Sequence, residues 1–94
     1  GFRVELSEVE YIAREVLKNK NVVAVSVKTK LGISDIYLVI EDVSAENEAV
    51  RLYLKNKLPE YMLPKAIYCM EKFPLNLNGK IDKNKIVQVL NISK

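Results

Sequence analysis

The sequence predicts an α+β fold: a small antiparallel or mixed sheet of about three strands packed with two or three helices, in the order β-α-β-β-α-β-α. Three observations predict it. Stretches with apolar residues at helical spacing alternate with short β-branched runs. Turn-forming residues separate these stretches at close intervals. A chain of 94 residues makes one small domain and no second one. The proportions agree, because 49% hydrophobic and 29% charged residues are ordinary for a globular domain.

Taken in order, Gly1-Phe2-Arg3-Val4-Glu5-Leu6 reads as a short strand or extended entry. Ser7 with Glu10 three residues on forms a capping box, so a helix is expected from there to about Asn19. Val9, Ile12, Ala13, Val16 and Leu17 make one apolar stripe on it. Leu6 and Tyr11 stand where a hydrophobic staple would place them. The β-branched runs Val22 to Val27 and Ile36 to Ile40, joined through Leu31-Gly32, predict an antiparallel hairpin. Ser44 can cap a second helix over residues 45–57, with Val50, Tyr53, Leu54 and Leu58 on one face and Glu46, Glu48, Lys55 and Lys57 outside it. Pro59 ends that helix, because the residue before proline is forced out of the α region. Ala66 to Lys72 is a third strand, Asn78-Gly79 a tight turn, and Asp82 the cap of a last helix that buries Ile86, Val87 and Leu90, with Ile81 stapled onto Ile86.

Composition removes much chemistry. The single cysteine, Cys69, forbids an internal disulfide. With no histidine at all, the usual zinc ligand sets and the Ser/His and Cys/His nucleophile arrangements are gone, and no metal site is expected. Cys69 lies between Tyr68 and Met70 in an apolar strand and reads as a buried, inert thiol. Apolar runs such as residues 22–27 fall far short of the roughly 20 residues that cross a bilayer, so no membrane partner is expected. The first residues lack the basic start and apolar block of a secretion signal, which points to the cytoplasm or to a larger parent.

The formal charge of +3 suits acidic partners. Twelve of the fifteen basic residues are lysine, a mobile point charge that lacks the bidentate fork for reading base edges. Lys80, beside the Asn78-Gly79 turn, can extend its amine outward into another body's cleft and meet charge developing at a phosphoryl centre. Exposed turn lysines also serve simply as solvated surface. Arg3 and Glu5 share a strand face as polar surface, and Glu8, Glu10 and Glu15 read as a solvated helix start suited to the macrodipole. The tyrosines Tyr11, Tyr53, Tyr61 and Tyr68 read as core and rim packing, Tyr61 lying in a rigid loop between Pro59 and Pro64. From the residues alone, a stand-alone basic module for RNA or an acidic protein remains open.

Two longer motifs narrow the choice. Leu58-Pro59-Glu60-Tyr61-Met62-Leu63-Pro64, followed by Phe73-Pro74-Leu75-Asn76-Leu77-Asn78-Gly79-Lys80-Ile81-Asp82-Lys83, resembles the closing signature of the adenylate-forming enzymes. The opening Gly1-Phe2-Arg3-Val4-Glu5-Leu6-Ser7-Glu8-Val9-Glu10 resembles the element that follows the hinge in the same family. The form Val4-Glu5-Leu6 is similar to amino-acid adenylation domains of nonribosomal peptide synthetases and of D-alanine:carrier-protein ligases. Asn76 stands where the family usually has threonine, and Lys83 where it usually has arginine.

The resemblance implies that residues 1–94 are the C-terminal lid subdomain of an amino-acid-activating ligase and are inactive alone. ATP and Mg2+ are implied for the parent, and none is expected on this chain by itself. Implied partners are the N-terminal adenylation subdomain and a carrier protein bearing phosphopantetheine, with no nucleic acid. Lys80 then corresponds to the lysine that reaches the carboxylate and α-phosphate in the first step, supported by Asn78, Gly79 and Asp82. Gly1, Phe2, Arg3 and Glu5 correspond to the residues that replace it at the site during thiol transfer.

Overall fold

The computed structural model describes residues 5–17, 20–28, 30–32, 34–42 and 47–90. Its elements run α1 (Leu6–Val16), β1 (Val22–Lys28), β2 (Ser34–Glu41), α2 (Asn47–Lys57), a single 3-10 turn (Glu60–Met62), β3 (Ala66–Met70) and α3 (Lys83–Val89). The expected first strand falls mostly on residues 1–4 and the Ser44 cap on residues 43–46, both outside the described residues.

The sheet has order β1-β2-β3 and is mixed. β1 and β2 form the expected antiparallel hairpin, with Val23 opposite Val39 and Lys28 opposite Ser34. β3 pairs parallel to β2, with Val39 opposite Tyr68 and Glu41 opposite Met70. A parallel pair needs a long connection, and α2 with the 3-10 turn supplies it. β3 stops at Met70, short of the expected Lys72, because β2 ends at Glu41 and leaves residues 71–72 without a partner.

Side chains alternate faces along a strand, and both faces of this sheet are covered. Val22, Ala24, Ile36, Leu38, Ile40 and Ile67 point one way and pack beneath α1 and α2 with Val9, Ala13, Val50 and Leu54. Val23 and Val39 point the other way and pack with Phe73 and Ile86, flanked by Tyr68, Met70, Ile81 and Leu90. Burial on both sides explains why Val22 to Val25 is a continuous apolar run without polar alternation.

The start of α1 departs from expectation. Glu5, not Ser7, is the N-cap, with extended backbone and a carbonyl that accepts from Glu8 N at 3.1 Å and Val9 N at 3.3 Å. Leu6 lies three residues before Val9 on the apolar stripe, so beginning the helix there packs Leu6 against the core. Ser7 makes no cap, and Tyr11, 64% exposed, forms no staple. The glutamates are more than a solvated start, because Glu15 accepts the Tyr53 hydroxyl at 2.7 Å, tying α1 to α2 and raising the Tyr53 pKa. Glu10 is tied down as well, as described below. Cys69 is half-buried, with its thiol 3.6 Å from Asn47 Oδ1.

Candidate functional site

The closing motif folds into a hairpin that leaves the sheet's second core, the cluster of Val23, Val39, Phe73 and Ile86, and returns to it. Phe73, 5% exposed, fills that core at the entry, and Ile81 and Ile86 hold the exit. Asp82 N donates to Pro74 O at 2.9 Å, and Leu75 bridges Ile81 antiparallel, closing the base. At the tip Gly79 N donates to Asn76 O at 3.0 Å, with Gly79 at φ +79°. This left-handed backbone is open to glycine and strained for residues with a Cβ.

Asn76 organises the turn. Its Oδ1 accepts from Asn78 N at 2.9 Å and from Lys80 N at 3.1 Å. Its own N–H donates to Lys80 O at 2.8 Å. Both backbone groups of Lys80 are therefore held by one residue. Threonine, usual in the family here, also offers a side-chain oxygen as acceptor. Asp82 caps α3 by accepting Lys85 N at 3.0 Å on Oδ1, which fixes the helix directly behind the turn.

The Lys80 side chain lies on the surface, and among the described residues no carboxylate pairs with it. Asn78, Gly79 and Asp82 gather with it on the one hairpin. Gly1, Phe2 and Arg3 lie outside the described residues, and Glu5 is exposed at the N-cap of α1. Among the described residues no cluster of three or more His, Cys, Asp or Glu could hold a metal ion. Likewise no described helix is long and apolar enough to cross a membrane.

Two carboxylates brace the hairpin, and the sequence reading missed both. Glu41, at the end of β2, accepts Phe73 N at 2.6 Å on Oε2 and Asn21 Nδ2 at 2.7 Å on Oε1. These bonds, the Phe73 amide first, hold its carboxyl below the usual 4.5, with Lys72 adding to the effect and desolvation opposing it. Glu10, with its side chain 12% exposed, accepts Ala24 N at 2.8 Å and meets Lys83 Nζ at 3.1 Å, both through Oε2. Arg14 lies 3.9 Å from its other oxygen and donates to Val22 O at 3.3 Å. The opening and closing motifs thus touch through Glu10 and Lys83.

No family profile matches the chain. Among curated proteins it is 35% identical over 99 residues to the D-alanine–D-alanyl carrier protein ligase of Staphylococcus epidermidis, a match spanning 97% of this chain and 20% of that protein. It is 36% identical over 89 residues to a component of the linear gramicidin synthase of Brevibacillus parabrevis, covering 92% of this chain and 1% of that protein. Among solved structures it superposes with TM-score 0.78 and 24% identity on holo-AB3403, a four-domain nonribosomal peptide synthetase bound to AMP and glycine, covering 89% of this chain and 6% of that one. The chain spans a fifth or less of each. These relatives bear out the resemblance carried by the two motifs.

Proposed function

We propose that this chain, a homologue of the adenylate-forming ligases, is the C-terminal lid of an amino-acid-activating enzyme and supplies that enzyme's catalytic cation, Lys80. The observation that carries this reading is the Asn76 clamp: backbone fixed on both sides of Lys80, side chain extended from the surface with no described carboxylate to neutralise it. A cation so presented matches the demand of the first half-reaction. There a carboxylate oxygen of the amino acid attacks the α-phosphorus of ATP, pyrophosphate leaves, and an aminoacyl-adenylate forms. Charge gathers on the phosphoryl oxygens, and an ammonium carried on a backbone already fixed before the reaction stabilises that charge and lowers the barrier.

In the second half-reaction a carrier's phosphopantetheine sulfur attacks the acyl carbon and AMP leaves. The lid turns between the two steps, withdrawing Lys80 and presenting residues Gly1 to Glu5. A point charge on an exposed hairpin suits such removal, because its contacts with the reacting groups are few. ATP with its Mg2+, and the amino acid, are held by the N-terminal adenylation subdomain, so the lid alone does not turn over. The work is cytoplasmic, where ATP and carrier protein meet.

The test is amino-acid-dependent pyrophosphate exchange in the full-length protein with Lys80 intact and as Lys80→Ala. Exchange is expected to fall by about two to three orders of magnitude, the scale of removing one preorganised charge-stabilising group. Transfer from supplied aminoacyl-adenylate to the carrier thiol is expected to change far less. Normal exchange by Lys80→Ala overturns the assignment.

A further inference from the structure

We propose that Glu41 is a positioning residue for Lys80, acting through the base of the hairpin, with Glu10 holding the opposite end of the same segment. The inference rests on the lid reading and adds residues to it. Glu41 lies in neither motif and its carboxylate cannot be reached from sequence spacing, yet it takes the amide of Phe73 at 2.6 Å, one residue before the Pro74 carbonyl that closes the hairpin. From there the connection to Lys80 is short and continuous. Pro74 O accepts Asp82 N, Leu75 bridges Ile81, and Asn76 holds Lys80 N and Lys80 O.

Glu41 is itself fixed from two directions. Asn21 Nδ2 donates to its second oxygen at 2.7 Å, and its own N–H donates to Asn21 O at 2.9 Å, so the carboxylate is mounted on the paired ends of β1 and β2. At the far end, Glu10 joins Ala24 N of β1 to the Lys83 ammonium at the first residue of α3. The segment from Phe73 to Lys83 therefore hangs between two carboxylates, one at the end of β2 and the other on α1 and bonded to β1, each bound to a donor just outside the hairpin. Losing the entry contact frees Phe73 N and lets the hairpin pivot on its remaining attachments. A misplacement of about 1 Å at a reacting group lowers rate by as much as a hundredfold.

The test uses the full-length protein. Glu41→Ala is expected to lower kcat for amino-acid-dependent pyrophosphate exchange about ten- to a hundredfold. KM for amino acid and ATP should stay within about twofold, and thiol transfer from supplied aminoacyl-adenylate should be unchanged, because Lys80 acts only in the first step. Glu41→Gln keeps an oxygen for the Phe73 amide and is expected to recover most of the loss. Combined with Lys80→Ala, Glu41→Ala should add nothing, since a positioning residue has no effect once the group it positions is gone. Equal losses in both half-reactions, a loss that adds to that of Lys80→Ala, or an unchanged exchange rate overturns the proposal. Should Glu41→Ala fail to fold, Glu10→Ala, which removes the contact at the other end of the segment, carries the same comparison. A slow Lys80→Ala beside a normal Glu41→Ala sinks the positioning role alone, whereas a normal Lys80→Ala sinks the lid reading and this role with it.

Discussion

Asn76→Ala removes one oxygen and leaves two backbone amides, those of Asn78 and Lys80, without their acceptor. A hydrogen bond contributes roughly 0.5–1.5 kcal/mol net, and these two are exposed, so water takes over part of each. The turn therefore loses about 1–2 kcal/mol, and the population of the observed hairpin falls about five- to thirtyfold relative to its open forms. The loss is local, because Phe73, Ile81 and Ile86 still anchor the segment in the second core. Pyrophosphate exchange by full-length Asn76→Ala should fall, by at most that factor, while thermal unfolding moves by only a few degrees. Asn76→Thr, which restores a side-chain oxygen, should return most of the rate. An Asn76→Ala enzyme with normal exchange, or a threonine variant as slow as alanine, would refute the view that this clamp prepares Lys80.

Two further outcomes follow from the packing and the charges. Ile86→Ala empties a fully buried position beneath the hairpin and should cost about 2–5 kcal/mol, read as a lower urea midpoint at unchanged slope. Glu41 has a carboxyl pKa lowered in the fold, so its contribution is present above pH 4.5 and is lost as pH falls through the lowered folded value. Glu41→Gln should accordingly flatten the acid limb of the stability profile below pH 4.5, and an unchanged limb would rule out that linkage.

What the sequence disclosed was local. The stripe from Val9 to Leu17, the β-branched runs, the break at Pro59 and the Asp82 cap each depend on neighbours within about a turn, and each is found where it was expected. The hairpin was legible for the same reason, since Asn76 to Gly79 is a self-contained turn. The misreadings come from contacts across the fold. A capping box at Ser7 is sound local chemistry, but packing Leu6 against the core displaced it. Glu10 reads as a solvated carboxylate and Glu41 carries no local signal at all, because their partners lie 14 and 32 residues away, at Ala24 and Phe73. The direction of β3 was open for a related reason, since it is set by the α2 crossover and leaves no signature in Ala66 to Met70 itself.

The same architecture constrains how the chain can alternate in the proposed lid role. Lys80 is bound through its hairpin to Phe73 and Ile86, so releasing the hairpin alone would expose two core side chains. At about 1.5–3 kcal/mol each, that costs roughly 3–6 kcal/mol, leaving only about one molecule in a hundred to one in ten thousand released. In the proposed lid role, withdrawal of Lys80 then comes from rotation of the whole chain against the proposed N-terminal subdomain. Hydrogen exchange on the full-length protein tests this. The amides of Asn76 and Asp82, bonded to Lys80 O and Pro74 O, should stay protected both with an acyl-adenylate analogue bound and in a state trapped on the carrier thiol. Loss of that protection in either state would mean that the hairpin itself opens, and the rigid-body account would fail.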